Sequence, residues 1–242
     1  MNKIDELQYI IDNSNKILFF TGAGVSTASG LKDFRSKEGL YHSKYKYSPE
    51  KMLSYTFFNN HPEEFYKFYK DKLIYDPEKI HPNYAHYFIA KLEEKGKSIG
   101  VVTQNIDGFH KIAKSKMVVE LHGSIYRNYC ESCHKLYDLE YIRKSDKIPY
   151  CSCCGYIKPD VTLYEEALKE KDIIKTIDLM EKADCLIILG TSLTVYPAAS
   201  FLQYFQGKNI IIINKQATNF DDRANLTIAE DINKVLKEII IR

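Results

Sequence analysis

Two pairs of closely spaced cysteines are the most distinctive chemical feature of this sequence. Cys130 and Cys133 form one Cys-x-x-Cys pair, and Cys151 and Cys154 form a second pair further along the chain. Two such pairs are typical of a zinc site, in which four thiolates surround one ion in tetrahedral geometry. Four sulfurs leave no coordination position open, so we expect one structural zinc ion rather than a catalytic one.

The identity of the fourth ligand is left open by an additional cysteine. Cys153 lies beside Cys154 and could take its place, although the x-x spacing favours Cys154. Another thiolate-bound metal, or thiols without metal, are the alternatives to zinc. The remaining cysteine, Cys185, begins an apolar run and is expected to be a small core residue.

A glycine-rich turn is the second feature that could perform chemistry. Gly22 and Gly24 follow the apolar run at 17–20, as expected for a turn that lets a backbone approach a pyrophosphate. The third glycine of the usual Gly-x-Gly-x-x-Gly pattern is absent, since Thr27 stands at its position. Tight turns also contain glycine for steric reasons alone, so the turn by itself leaves nucleotide binding undecided.

Five apolar runs predict the strands that would position these residues. They lie at 17–20, 101–103, 118–121, 185–190 and 209–214. Their apolar residues are consecutive rather than alternating, which is typical of parallel strands covered on both faces. Helical patterns occur at 4–13, 82–95, 168–183, 196–206 and 231–240. This alternation predicts an α/β fold with a doubly wound, Rossmann-like parallel sheet.

Two segments interrupt the alternation and predict a smaller inserted module. Residues 48–75 are rich in aromatic side chains at helical spacing, and residues 125–160 contain the cysteine pairs. We expect one catalytic region, 1–242, with a large domain at about 1–40, 76–124 and 165–242. The small module, a helical segment plus a zinc ribbon at 125–160, would then comprise about 41–75 and 125–164.

Composition and charge narrow the classes of partner. The chain has 242 residues, 45% of them hydrophobic and 27% charged, which is typical of a packed globular protein. The net charge of +2 gives no strong electrostatic basis for direct nucleic-acid binding. Early charges at the N-terminus disfavour a secretory signal, and the longest aliphatic run, 210–213, is too short to cross a membrane. We therefore expect a cytoplasmic protein without a membrane partner.

Several motifs occur along this chain in the same order as in a known family of proteins. They lie at 21–36 (TGAGVSTASGLKDFRS), 103–110 (TQNIDGFH), 120–123 (ELHG), 158–161 (KPDV), 190–195 (GTSLTV), 214 and 230–236 (EDINKVL). Together with the cysteine pairs, this series closely resembles the sirtuins, NAD-dependent protein deacylases, and in particular their bacterial-type single-domain members. The resemblance extends over about residues 4–240.

The resemblance implies a reaction that consumes NAD as a co-substrate. The acyl-lysine carbonyl oxygen attacks the ribose carbon that loses nicotinamide, and the products are nicotinamide, O-acetyl-ADP-ribose and deacylated lysine. By motif position, His122 and Asn105 are the catalytic residues. A histidine, with an ordinary pKa near 6.5, suits the base that takes a proton from a ribose hydroxyl.

The resemblance also implies the residues that contact NAD and the substrate. Asp107 would accept a hydrogen bond from the nicotinamide amide, and Ile106 would supply an apolar wall. Val161 and Val195 would flank a substrate peptide that adds as a strand. The full set of expected NAD contacts is Ala23, Thr27, Phe34, Arg35, Gln104, Asn105, Ile106, Asp107, His122, Gly190, Thr191, Ser192, Asn214, Asp231 and Ile232.

Departures from the family pattern concern the substrate side. Glu165 stands where the family has glycine, near the expected peptide groove. Family members that remove succinyl or malonyl groups carry a Tyr-x-x-Arg pair, whereas this chain has Tyr66 and Tyr69 at that spacing. The absence of the arginine favours neutral acyl groups, although Lys67 or Lys70 could substitute for it. Lys32 and Tyr41 replace the family's proline and tryptophan without expected loss of chemistry.

Four other functions are alternatives to deacetylation. Protein mono-ADP-ribosylation, or removal of longer or acidic acyl groups, would use the same fold. A hydride-transfer dehydrogenase is disfavoured by the displaced third glycine and the four-cysteine pattern. A non-enzymatic zinc-ribbon binding module would not need five buried strands.

Overall fold

The computed structural model describes residues 2–33, 39 and 45–242. Phe34 and Arg35, two of the expected NAD contacts, lie outside the described residues. The described strands are β1 (Ile17–Thr21), β2 (Ser98–Thr103), β3 (Val118–Glu120), β4 (Gly123–Cys130), β5 (Leu136–Tyr137), β6 (Ile157–Val161), β7 (Cys185–Leu189), β8 (Asn209–Ile213) and β9 (Leu226–Ile228).

Nine α-helices fall within the described part of the chain. They are α1 (Lys3–Asn13), α2 (Pro49–Met52), α3 (Tyr55–Asn60), α4 (Pro62–Lys72), α5 (Tyr84–Glu94), α6 (Phe109–Ile112), α7 (Leu139–Lys144), α8 (Glu170–Lys182) and α9 (Ile232–Lys237). Three further segments are 3-10 helices, at Ala23–Ser29, Ala198–Tyr204 and Asp221–Arg223. None of the helices described is both long and apolar enough to cross a membrane.

A six-stranded parallel sheet forms the centre of the larger layer. Its strand order is β3-β2-β1-β7-β8-β9, and every pairing within it is parallel. All five residues of β1 and all five of β7 are buried, as their consecutive apolar residues predict. The order reverses between β1 and β7, and open α/β sheets bind ligands at such a switch point.

Helices cover both faces of this sheet. Leu7 of α1, Phe88 of α5 and Val235 of α9 pack in the core on one face. Met180 of α8 and Phe201 of the 3-10 helix Ala198–Tyr204 pack in the core on the other face. Each such side chain contributes roughly 1.5–3 kcal/mol by leaving water. The predicted doubly wound α/β fold is therefore confirmed.

A second, antiparallel sheet has the order β5-β4-β6 and contains the cysteines. The aromatic helices α3 and α4 pack against it through a core that includes Phe58, Phe65 and Phe68. Tyr66 and Tyr69 belong to the same core, and the Tyr66 hydroxyl donates a hydrogen bond to the Ile157 carbonyl of β6. The aromatic segment and the cysteine segment therefore share one core, separate from the cores of the large sheet.

The structure departs from the predicted elements at three places. The sixth strand, β9, was not expected, because three residues are too short to give a recognisable pattern. The helix predicted at 196–206 is a 3-10 helix over Ala198–Tyr204, in which Ser200 N–H bonds to the Pro197 carbonyl three positions earlier (3.0 Å). The last helix is shorter than predicted and ends at Lys237.

Candidate active site

A cleft with a cavity volume of about 440 Å³ lies at the carboxyl ends of the large sheet's central strands. The turns after β1, β2, β7 and β8 contribute one part of its wall. The end of β6 and the residues after it contribute the opposite part, from Val161 to Glu166. The cleft therefore lies between the parallel sheet and the antiparallel sheet, and residues from both can contact a bound molecule.

Glycines allow two turns of the cleft wall to pack backbone against backbone. Gly24 N–H donates to the Gly190 carbonyl at 2.8 Å, and a β-carbon on Gly24 would lie 2.7 Å from the Gly190 α-carbon. Gly190 has a φ of +59°, and a β-carbon there would lie 2.4 Å from the Val25 nitrogen. Only glycine fits at either position. The later Gly30, with φ +93°, ends the 3-10 helix Ala23–Ser29 in a left-handed conformation that favours glycine.

Asp107 is the centre of a buried hydrogen-bond network at the base of the cleft. Ser26 Oγ donates to one carboxylate oxygen of Asp107 at 2.7 Å, and Phe109 N–H donates to the other at 2.9 Å. Asn105 Nδ2 donates to Ser26 Oγ at 3.1 Å. Burial raises the pKa of Asp107, while these donors oppose the increase. The network fixes a carboxylate and an amide, both able to bind polar groups of a ligand.

His122 lies in the turn between β3 and β4 and faces the cleft. Burial lowers its pKa to about 4, so the imidazole is neutral at pH 7 and can accept a proton. Its carbonyl accepts a hydrogen bond from Thr162 N–H at 3.0 Å. The next residue, Gly123, has a φ of +78°, and a β-carbon there would lie 1.8 Å from the Asp160 carbonyl oxygen. The turn that positions His122 therefore requires glycine.

A chain of ion pairs holds the segment before His122. Glu120, almost fully buried, accepts hydrogen bonds from Lys111 Nζ and Arg127 Nη1, each at 2.6 Å. Arg127 Nε also donates to Asp160 at 2.8 Å, and Lys169 forms a further ion pair with Asp160. Arg127 therefore joins the end of β3 to β6. None of these contacts was expected from the sequence, because the partners lie on different elements and their spacing follows no helix or strand period.

Four cysteine sulfurs form a compact group outside the cleft. The Sγ atoms of Cys130, Cys133, Cys151 and Cys153 lie within 4.8 Å of one another. A backbone hydrogen bond from Cys153 and the Tyr137 hydroxyl lower the pKa of the Cys151 thiol, which favours the thiolate that binds metal. The group is compatible with one structural zinc ion.

The structure groups the Cys153 sulfur, and not the expected Cys154 sulfur, with the other three. Cys154 has a φ of +67°, and its N–H closes a tight turn onto the Cys151 carbonyl at 2.9 Å. In this turn the Cys153 sulfur joins the group, at 3.4 Å from the Cys130 sulfur. The x-x spacing alone does not determine which sulfur the backbone presents.

The cleft contains every expected NAD and substrate residue that the structure describes. These residues are Ala23, Thr27, Gln104, Asn105, Ile106, Asp107, His122, Val161, Gly190, Thr191, Ser192, Val195, Asn214, Asp231 and Ile232. Gln104 Nε2 donates to the Thr191 hydroxyl at 3.0 Å, which links two of the turns. Asp231 also caps α9 by accepting from Asn233 and Lys234 N–H groups.

Two observations at the cleft add to the expected site. Ser26, which holds Asp107, is a site residue that the sequence did not predict, and its position inside the glycine-rich motif is the local signal for it. Tyr66 and Tyr69 do not line the cleft, because both are buried in the core of the antiparallel layer.

Comparison with known proteins identifies the family. The model of the Sir2 family matches residues 22–197. This chain belongs to the Sir2 family. Sir2-family relatives named NAD-dependent protein deacetylase include one from Clostridium acetobutylicum, 53% identical over 99% of both chains, and one from Clostridium perfringens, 54% identical over 99% of both chains. The resemblance to the sirtuins is therefore confirmed.

Solved Sir2 structures share the whole fold with this Sir2-family chain. A complex described as Sir2 with a p53 peptide and NAD⁺ has a TM-score of 0.86 and 37% identity, covering 98% of this chain and 96% of that one. A histidine-to-alanine Sir2 variant with deacetylated p53 peptide and 3′-O-acetyl-ADP-ribose has a TM-score of 0.89 and 38% identity, covering 98% and 97%.

Proposed function

We propose that this chain is an NAD-dependent protein-lysine deacetylase. It converts NAD, an acetyl-lysine side chain and one water molecule into nicotinamide, O-acetyl-ADP-ribose and free lysine. One observation carries the proposal: the imidazole of His122 lines the same cleft as the fixed Asn105–Ser26–Asp107 network and the glycine-rich turn. The family to which the chain belongs and the names of its close relatives agree with this activity.

NAD binds along the carboxyl ends of the parallel strands. The close-packed turns at Gly24 and Gly190 bring backbone amides near the pyrophosphate, because no side chain intervenes. Hydroxyl and amide groups at strand ends then contact the riboses. The proposed contacts here are Ala23, Thr27, Gln104, Gly190, Thr191, Ser192, Asn214, Asp231 and Ile232, with Phe34 and Arg35.

The reacting end of NAD lies against the buried network. Asp107 accepts a hydrogen bond from the nicotinamide amide, and Ile106 covers the ring. Asn105 holds a ribose hydroxyl. His122 takes the proton of a ribose hydroxyl once the acyl oxygen has displaced nicotinamide, and its low pKa keeps it unprotonated for this step. Enclosure in the cleft excludes water from the reacting carbon.

The substrate peptide binds beside the segment after β6. Val161 and Val195 line opposite parts of the cleft, which supports a peptide between them. Leu53, Leu73 and Leu163 form an apolar part of the lining, and no arginine lines the cleft within the described residues. This lining supports a neutral acyl group, with acetyl preferred and longer neutral or acidic groups as alternatives.

The zinc ion has a structural role. We assign its ligands as Cys130, Cys133, Cys151 and Cys153, which fill a tetrahedral site without room for substrate. The ion would join β4 to the turn before β6 in the ribbon at 125–160. The proposed division remains a large domain at about 1–40, 76–124 and 165–242 and a small module at about 41–75 and 125–164. Thiolate ligation requires a reducing compartment, which supports a cytoplasmic location.

Mass spectrometry of an acetyl-lysine peptide incubated with the protein tests the activity. We expect loss of acetyl only when NAD is added, with release of nicotinamide and O-acetyl-ADP-ribose. His122→Ala should lose the activity, whereas His81→Ala, which changes an exposed histidine outside the cleft, should keep it. NAD consumption without loss of acetyl would instead favour mono-ADP-ribosylation.

A further inference from the structure

Glu165 has a backbone conformation that side chains rarely adopt. Its φ is +78°, in the left-handed region where glycine is unstrained and a β-carbon is costly. The side chain is exposed and lines the cleft beside Tyr164 and Glu166. A carboxylate is thus present on the cleft wall at a position where the backbone alone would favour glycine.

Hydrogen bonds fix both the backbone and the carboxylate of this residue. Tyr164 N–H donates to the Leu53 carbonyl and Tyr55 N–H donates to the Tyr164 carbonyl, each at 3.0 Å. Thr56 N–H donates to Glu165 Oε2 at 2.8 Å. The hydrogen bonds from Thr56, and a weaker one from Ser54, lower the pKa of Glu165, so its side chain is negatively charged at neutral pH.

Several other charged groups of the cleft wall already have partners. The pairs are Lys72 with Asp71 at 2.8 Å, Lys215 with Asp231 at 3.0 Å, and Glu166 with Lys158 at 3.0 Å. Glu165 differs from these groups, because within the described part of the chain its carboxylate contacts amide and hydroxyl donors and no cation. Its charge is therefore available to a cation that enters the cleft.

The place of Glu165 determines which cation can reach it. The turns at the carboxyl ends of the parallel strands form the nucleotide side of the cleft, whereas Val161–Glu166 continues from β6, the edge strand of the antiparallel sheet. A polypeptide whose lysine reaches His122 must pass this segment. We infer that Glu165 binds a lysine or arginine side chain next to the acyl-lysine, so that the enzyme prefers acyl-lysines in basic sequences; this rests on the proposed function.

The inference can be tested with three short fluorescein-labelled acetyl-lysine peptides. They differ only in the residues adjacent to the acetyl-lysine, which are arginine, glutamine or glutamate. Affinity is measured by fluorescence anisotropy, and release of acetyl is measured in the same samples after addition of NAD. The proteins are the unaltered chain, Glu165→Gln, Glu165→Gly and the control Glu170→Gln, which changes an exposed carboxylate outside the cleft.

We expect the arginine peptide to bind roughly fivefold more tightly than the glutamate peptide at low salt, as for an exposed ion pair. The difference should shrink as salt rises, because the Debye length falls from about 10 Å at 0.1 M to about 3 Å at 1 M. Both Glu165 variants should lose the preference, and Glu170→Gln should keep it. Glu165→Gln removes the charge and keeps the β-carbon, whereas Glu165→Gly removes both. Loss of the preference in both variants would therefore assign it to the charge and not to the backbone strain.

Equal affinities for the three peptides, or a preference that survives in Glu165→Gln, would overturn the role of Glu165. The two readouts keep this result distinct from failure of the proposed function. If no peptide loses its acetyl group with NAD, deacetylation is wrong, yet the measured affinities still decide whether Glu165 selects basic peptides.

Discussion

Replacement of Arg127 by methionine should destabilise the protein more than replacement of a comparable surface arginine. Arg127 donates to Glu120 at 2.6 Å and to Asp160 at 2.8 Å, and the side chains of these two carboxylates are only 4% and 14% exposed. Burial tends to raise the pKa of Asp160, but hydrogen bonds from Lys169 and Arg127 outweigh it and lower that pKa. Methionine keeps much of the side-chain volume and removes the charge that both carboxylates require.

The size of the expected stability loss follows from how exposed Arg127 and its two carboxylate partners are. Removal of one partner from a fully buried ion pair costs about 3–5 kcal/mol, whereas exposed pairs contribute about 0–1 kcal/mol. The Arg127 side chain is 42% exposed, and Lys111 and Lys169 remain beside the two carboxylates. We therefore expect the free energy of unfolding to fall by about 2 kcal/mol, between these limits. For a chain of this length the melting temperature should fall by roughly 4–8 °C.

The matched control is Arg143→Met. Arg143 also bridges two carboxylates, Glu140 and Asp76, but their side chains are 48% and 31% exposed. Both variants are compared by thermal and urea unfolding. The free energy of unfolding of the control should fall by less than about 1 kcal/mol. Glu120→Gln combined with Arg127→Met should restore part of the stability, because the amide needs no counter-ion. Equal losses for the two arginine variants would refute the reasoning.

Two further predictions concern the cysteines and the buried histidines. Cys153→Ser should lose bound zinc, measured by inductively coupled plasma mass spectrometry, whereas Cys154→Ser should keep it; the opposite result would restore the sequence-based ligand set. Burial lowers the pKa of His86 and of His122 to about 4, and that of His110 well below 6.5. The unfolded chain takes up protons on these histidines below about pH 6.5 while the folded chain does not, so the free energy of unfolding should decrease as pH falls from about 6.5 to about 4. Urea midpoints that are the same at pH 7 and pH 5 would contradict this prediction.

The central strands and the cleft residues could be predicted because their signals are local. Consecutive apolar residues in β1 and β7 require a strand covered on both faces, and the structure has both. The residues of the family motifs follow those strands directly, so the parallel arrangement brings them to one edge of the sheet. In these cases one short segment contains both the apolar run that forms the strand and the functional residues that follow it.

The features that could not be predicted depend on backbone geometry or on distant partners. Cys153 and Cys154 are adjacent and chemically identical, and only the left-handed turn at Cys154 decides which sulfur joins the group. Glu120 and Asp160 look like ordinary surface acids in the sequence, although Arg127 joins them in a partly buried chain. Neither arrangement has a periodic pattern that a sequence could display.

A low pKa does not by itself identify the base of the proposed reaction. His86, His110 and His122 all have pKa values lowered mainly by burial. His110 Nε2 lies 3.0 Å from the Thr21 hydroxyl, and the ring of His86 lies 4.9 Å from that of His110, so both are part of the buried interior behind the cleft. Of the three, His122 alone lines the cleft. Burial keeps each of these imidazoles neutral, but the turn at Gly123 makes only the His122 imidazole accessible to a substrate.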